Sequence, residues 1–129
     1  MSNLSDKAKE TFLLGFNCAQ AVISVFCEKY GMDKDTALAF TDGFGGGMRS
    51  GEICGAVSGA VAVIGLANAR LNKNPDNIKL NTRTKTVELT KAFMKKFDEI
   101  DCRELITGGR LNCANYVAFA VETLEEMGY

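Results

Sequence analysis

Cysteine is the residue type in this 129-residue sequence whose number and spacing could do chemistry, because there are five cysteines and no histidine. Without histidine the chain cannot form a Ser-His or Cys-His nucleophile pair, cannot bind a metal through imidazole, and lacks the usual general base near neutral pH. The remaining reactive groups are sulfur, carboxylate, lysine amine and tyrosine hydroxyl. Any redox, nucleophilic or soft-metal chemistry therefore has to use sulfur.

Four of the five cysteines are predicted in or near the first turn of a helix. The free amides and the dipole at a helix start stabilise a thiolate, and they can lower a cysteine pKa from about 8.5 toward 7. Asn17 with Gln20, and Asp101 with Glu104, have the form of capping boxes that begin two of these helices. The alternative is that each cysteine is an ordinary small core residue, but four matching positions favour a functional role. These candidate catalytic residues are Cys18, Cys54, Cys102 and Cys113.

The fifth cysteine, Cys27, is predicted in the middle of a helix and is interpreted as a packing residue. The other four contain no Cys-x-x-Cys pair, which argues against a thioredoxin-like motif and a zinc ribbon. Because their separations are long, tertiary packing has to bring the four sulfurs together. Loop-closure entropy rises only with the logarithm of loop length, so such separations are acceptable.

A glycine-rich segment lies between two predicted helices, and residues 43–47 are expected to form a flexible loop. It matches neither a P-loop nor a dinucleotide-binding fingerprint, so nucleotide binding is disfavoured. The functional interpretation is that its glycines let the backbone pass close to a sulfur site and bring Cys54 into the core. The alternative is a plain connection. The candidate cofactor-binding glycines are Gly45, Gly46, Gly47 and Gly51.

Hydrophobic spacing predicts a single all-α domain over residues 1–129, a compact bundle of about six or seven helices. The predicted helices span approximately residues 4–15, 18–30, 33–40, 52–70, 78–97, 101–107 and 113–127. The helix over 52–70 is rich in small residues and apolar nearly all round, which indicates a buried central helix. Gly55 and Gly59, four residues apart, indicate close helix packing, either inside the domain or at a homodimer seam.

Composition excludes several classes of partner and site. The net charge of −1 gives no electrostatic footprint for nucleic acid or an anionic membrane. The apolar run over 53–67 is shorter than the roughly 20 residues that a membrane span needs. The first residues contain no signal-peptide pattern, so we expect a cytoplasmic protein in which cysteines stay reduced unless they are functional.

The chain resembles the C_GCAxxG_C_C family of redox-active proteins over nearly its whole length. The segments that carry the resemblance are FNCAQAV (16–22), GFGGGM (43–48), GEICGAVSGA (51–60) and CREL (102–105), together with Cys113. The resemblance implies that Cys18, Cys54, Cys102 and Cys113 are signature cysteines and that Cys27 is not. Similar cysteine domains occur beside c-type haem segments in split-Soret-type cytochromes, which implies an iron centre there. This chain lacks Cys-x-x-Cys-His, so covalent haem attachment is not expected.

Three hypotheses about function follow. The leading one is a redox-active site of four cysteines, in the manner of a thiol-disulfide oxidoreductase, with a redox partner that the sequence does not name. The alternative is a module in which Cys18, Cys54, Cys102 and Cys113 bind zinc or an iron-sulfur cluster. Four thiolates carry a charge of −4, whereas four helix starts supply only about +2 in total, so a cluster of four thiolates would need a cation. The third is a helical protein-interaction domain with structural cysteines.

Overall fold

The computed structural model describes residues 2–129, and over these residues the protein is all-α with seven helices and no strands. The predicted fold class is therefore confirmed. One isolated antiparallel bridge joins Ile53 to Asp101. The helices are α1 (Asn3–Leu13), α2 (Cys18–Ser24), α3 (Lys34–Phe40), α4 (Gly55–Leu71), α5 (Pro75–Phe97), α6 (Cys102–Leu105) and α7 (Cys113–Glu126).

Helix α4 lies at the centre of the bundle and contacts α2, α5 and α7. Its small residues allow this, because a Cβ added to Gly59 would lie 2.7 Å from the Ala19 carbonyl oxygen on α2. A Cβ on Gly55 would lie 3.2 Å from both the Ala19 nitrogen and the Cys18 Cβ. Of the two roles predicted for this glycine pair, internal packing is therefore the one that the contacts confirm, and the homodimer stays a prediction.

Side chains cap the starts of several helices, and the helix predicted over 78–97 begins three residues earlier, at Pro75, because Asn74 caps it. Asn17 caps α2 as a full capping box with Gln20, whose side-chain amide also donates to the Leu38 carbonyl at 2.8 Å. Asp33 caps α3 by accepting from the Thr36 amide. Asn74 caps α5, and Pro75 occupies its first position, where a missing backbone N–H costs nothing.

Three local predictions were wrong. The helix predicted over 18–30 ends at Ser24, so Cys27 lies in the turn that follows, where it is fully buried. Asp101 makes no side-chain cap, because the Glu104 amide that such a cap would bind donates to the Asp101 carbonyl oxygen at 3.1 Å instead. The segment 43–47 is not a flexible loop: it contains the end of a 3-10 turn, Asp42–Phe44, and the start of a second turn, Gly47–Gly51.

Within residues 2–129, none of the helices combines the length and the apolar character that crossing a membrane would take.

Candidate functional site

The four predicted site cysteines come together at the starts of four helices. Cys18, Cys102 and Cys113 are the first residues of α2, α6 and α7, and Cys54 immediately precedes α4. All four are buried, and the ionisation of Cys18 is affected by each of the other three. Cys27 lies apart from them: the charged groups that affect its ionisation are Glu28 and Lys34, and burial raises its pKa.

The antiparallel bridge positions Cys54 and Cys102. The Cys54 amide donates to the Ile100 carbonyl at 2.8 Å, and the Cys102 amide donates to the Glu52 carbonyl at 2.6 Å. Side chains alternate between the two faces of paired extended segments, so the residues directly after Ile53 and Asp101 point to the face opposite that pair. The bridge therefore presents both cysteines toward one face, and an Arg103–Glu52 ion pair at 2.6 Å closes its outer side.

The capping box of α2 positions Cys18. The Asn17 side chain accepts from the Gln20 amide at 2.9 Å, while its amide group donates to the Asp42 carbonyl at 2.9 Å. A Cβ on Gly55 would lie 3.2 Å from the Cys18 Cβ, so the missing side chain lets α4 approach α2 closely at this point. The start of α2 thus has neighbours on both sides.

Cys18 and Cys113 affect each other's ionisation in opposite directions. A side-chain hydrogen bond between them lowers the pKa of Cys113 to about 6, with the Arg110 guanidinium contributing in the same direction. The same hydrogen bond, followed by burial and the nearby Cys54 charge, raises the pKa of Cys18. Near neutral pH the pair therefore holds one proton, with Cys18 as the thiol donor and Cys113 as the thiolate acceptor.

The helix-start argument does not extend to every cysteine. Burial raises the pKa of Cys54 to about 11, although the Ala56 and Val57 amides act in the opposite direction. Desolvation of a charged sulfur thus outweighs the helix start at this position. The prediction that a helix start lowers each thiol pKa was wrong for Cys18 and Cys54, and Cys113 shows the lowering because a neighbouring thiol and a guanidinium stabilise its charge.

The glycine-rich segment forms a left-handed turn beside the cysteines. Gly46, Gly47, Met48 and Arg49 all have φ between 58° and 65°, a conformation that a residue with a side chain adopts at a cost. At Gly47 a Cβ would lie 2.9 Å from the Cys102 Cβ and 2.5 Å from the Glu52 backbone. Gly47 therefore lets the backbone pass against Cys102, as the sequence predicted.

The other candidate glycines have related positions. Gly45 lies against the Asn17 side chain, and Gly51 lies against Arg103 with a φ of 74°. These contacts place the turn on the cysteine site. Binding of a cofactor by Gly45, Gly46, Gly47 and Gly51 stays a prediction.

An open cleft of about 270 Å³ leads from the surface to Cys18. Its walls contain two aromatic residues, two arginines, two glycines and an asparagine: Phe12, Phe16, Arg49, Arg110, Gly15, Gly46 and Asn17. The sequence-based reasoning missed both arginines. The available signal was the position of Arg110 three residues before Cys113, since a basic neighbour is a known cause of a low thiol pKa.

The side chains were tested for a resident metal or cluster. Over residues 2–129, no group of three or more Cys, Asp or Glu side chains is arranged to hold a metal ion. Binding of zinc or an iron-sulfur cluster by the four cysteines stays a prediction.

One comparison with known proteins gives a match. The family model described as "Putative redox-active protein (C_GCAxxG_C_C)" matches residues 16–127. No curated protein and no solved structure matches the chain significantly.

Proposed function

Because the chain belongs to the C_GCAxxG_C_C family, we propose that it is a thiol-disulfide redox protein in which Cys18 and Cys113 exchange two electrons with a substrate. The observation that carries the proposal is that four buried cysteines gather at helix starts, with Cys18 lining an open cleft and interacting with Cys113. A thiolate is the reactive form of cysteine, and a second sulfur in contact with it can close a disulfide.

The two sulfurs have different roles. Cys18 lines the cleft and is about 9% exposed, whereas Cys113 is about 3% exposed and does not line it. Cys18 is therefore the sulfur that a substrate can reach. The pair holds one proton, which rests on Cys18, so attack from Cys18 requires that this proton first pass to Cys113, and Cys18 reacts through this less populated form. Cys113 later attacks Cys18 to release the substrate.

The electrons and atoms balance over two steps. In the first step the Cys18 sulfur attacks a substrate disulfide, a Cys18-substrate disulfide forms, and one substrate thiolate leaves and takes a proton. In the second step the Cys113 sulfur, whose proton has gone to the first substrate thiolate, attacks Cys18 Sγ, and the second substrate thiolate leaves and takes a proton from solvent. One substrate disulfide is reduced to two thiols, and the Cys18–Cys113 dithiol is oxidised to a disulfide.

Cys54 and Cys102 provide a second dithiol beside this pair. Their charges act on Cys18, and the bridge between Ile53 and Asp101 holds them on one face. Transfer of the disulfide to Cys54–Cys102 returns Cys18 and Cys113 to the dithiol. Because the pKa of Cys54 is raised, this second pair reacts more slowly with external reagents.

The test is a redox titration of anaerobically purified protein after elemental analysis. We expect metal-free protein to take up two electrons per disulfide, with a defined potential that Cys18→Ser or Cys113→Ser abolishes. Cys27→Ser is the matched control, because the Cys27 sulfur already faces the Ser24 carbonyl at 3.6 Å and a hydroxyl keeps that acceptor. A titration that is unchanged by Cys113→Ser contradicts the proposed pair.

The same experiment tests the alternative. The feature that favours metal binding is that four sulfurs share one neighbourhood, since thiolates bind soft metals. Stoichiometric zinc, or iron with sulfide, together with loss of stability on chelation would support a metal site in place of the dithiol. Neither metal nor reversible oxidation would favour the interaction domain.

A further inference from the structure

The cleft above Cys18 carries two guanidinium groups and no carboxylate side chain among its lining residues. Arg49 and Arg110 lie on its walls, and the lining of the cleft otherwise consists of aromatic, glycine, asparagine and cysteine residues. Phe16 is about 38% exposed and presents an apolar wall at the same opening. A ligand in this cleft would therefore meet positive charge and an aromatic surface together.

The two arginines are held differently. Arg49 donates to the Asp42 carbonyl oxygen at 2.8 Å and lies 3.7 Å from its carboxylate, so Asp42 offsets part of its charge. Arg110 makes no salt bridge to a carboxylate within residues 2–129, and the group it stabilises is the Cys113 sulfur. Arg110 is thus the stronger candidate for binding an external anion.

From this arrangement we propose that the cleft is a subsite for an anionic substrate, a small disulfide that carries a carboxylate or a similar anion next to an apolar group. A planar guanidinium binds a carboxylate through paired hydrogen bonds, and the apolar part packs on Phe16. This inference rests on the proposed function, since it identifies the substrate class of the Cys18–Cys113 pair. The volume of about 270 Å³ lies just below the range of about 300 to 1,000 Å³ for small-molecule sites, which suits a small substrate.

The test compares two aromatic disulfides that differ in charge. Reduced protein reacts with dithiobis(nitrobenzoate), which is anionic, or with dithiodipyridine, which is neutral at pH 7, and mass spectrometry identifies the modified cysteine. The quantity of interest is the ratio of the two second-order rate constants at Cys18. A change in the sulfur pKa alters both rate constants alike, because the same sulfur attacks both reagents. Their ratio therefore removes any effect of Arg110 on that pKa.

For Arg110→Gln we expect the anionic-to-neutral ratio to fall about fivefold, and for Arg49→Gln about twofold, as for partly exposed charge pairs. Arg83→Gln is the matched control, because Arg83 is exposed on α5 and does not line the cleft. The wild-type ratio should also fall as salt is added. An unchanged ratio in Arg110→Gln, with both rates reduced equally, would overturn the anion subsite and leave the redox pair intact.

A second measurement does not depend on redox chemistry. In Cys18→Ser protein, benzoate should shift the amide resonances of Gly15 and Gly46 at the cleft, whereas uncharged benzamide should not. Equal shifts with the two compounds would contradict anion recognition. If the Cys18→Ser variant reacts with both disulfides as fast as the wild-type protein does, the proposed function fails, whatever the benzoate result.

Discussion

Gly59→Ala tests whether close packing of α4 on α2 holds the cysteine site together. The new Cβ would lie 2.7 Å from the Ala19 carbonyl oxygen and 2.8 Å from the Ala19 Cα. Both neighbours are backbone atoms of α2, so they cannot rotate away as a flexible side chain would. The substitution has to push apart the two helices that carry Cys18 and Cys54.

The expected loss follows from two opposing terms. Overpacking a tight contact costs about 1 to 3 kcal/mol, while alanine is preferred over glycine in a helix by about 1 kcal/mol. We therefore expect Gly59→Ala to lower the free energy of unfolding by up to about 2 kcal/mol. Gly65 is the matched control in the same helix: a Cβ there meets no atom within 4 Å, so Gly65→Ala should raise the free energy of unfolding by up to about 1 kcal/mol.

Guanidinium unfolding of reduced protein gives both free energies. The pKa of Cys113, followed by thiolate absorbance, reports on the site itself and should move back toward the ordinary cysteine value in Gly59→Ala, because displacing Cys18 weakens its hydrogen bond to Cys113. If Gly59→Ala is as stable as Gly65→Ala, with an unchanged Cys113 pKa, the packing argument is refuted.

Three further predictions concern the turn, the pH dependence and the oxidised state. Gly46→Ala should lower the free energy of unfolding by about 1 kcal/mol, because φ is 63° there and the added Cβ meets no atom within 4 Å. Gly43→Ala is the control, since its Cβ also meets no atom but its φ is not positive. Equal effects of the two substitutions would contradict the argument from backbone strain. The pKa of Cys113 is lowered to about 6 in the folded protein, against about 8.5 for an ordinary cysteine, so between these pH values the unfolded chain binds more protons than the folded one. The free energy of unfolding should therefore rise with pH over this window, and this contribution should be lost as pH falls through 6. Chemical denaturation across pH, with Cys113→Ser as the variant that loses this rise, checks the sign. Oxidation to a Cys18–Cys113 disulfide closes a loop of about 95 residues and should add about 4 to 5 kcal/mol to the free energy of unfolding, whereas no gain in oxidised protein would exclude this pairing.

Much of the fold could be predicted from the sequence because helix starts and small residues act locally. Asn17 and Asp33 satisfy amides within three residues, so their effect is visible in a short window. The small-residue pattern around Gly59 likewise indicates close packing without identifying the partner. The sequence also placed these four cysteines at or near helix starts, which is where the structure has them.

The remaining features depend on contacts between distant segments. Asp101 has the form of a capping residue, but the first-turn amides bind elsewhere: the Cys102 amide donates to the Glu52 carbonyl, fifty positions away, and the Glu104 amide donates to the Asp101 carbonyl. The pKa values of Cys54 and Cys113 move in opposite directions because burial dominates one and a neighbouring thiol dominates the other. No local pattern specifies either neighbour, so the sequence alone predicted similar behaviour for both.

The order in which the cysteines leave the ribosome has a consequence for how the site is made. Cys18 and Cys113 are separated by about 95 residues, so at typical synthesis rates Cys18 emerges roughly 5 to 20 s before its partner. During that interval Cys27 and Cys54 are the nearer sulfurs along the nascent chain. An oxidant acting on the growing polypeptide would therefore join the wrong cysteines, and a functional site requires that the thiols stay reduced until α7 has been synthesised and has docked.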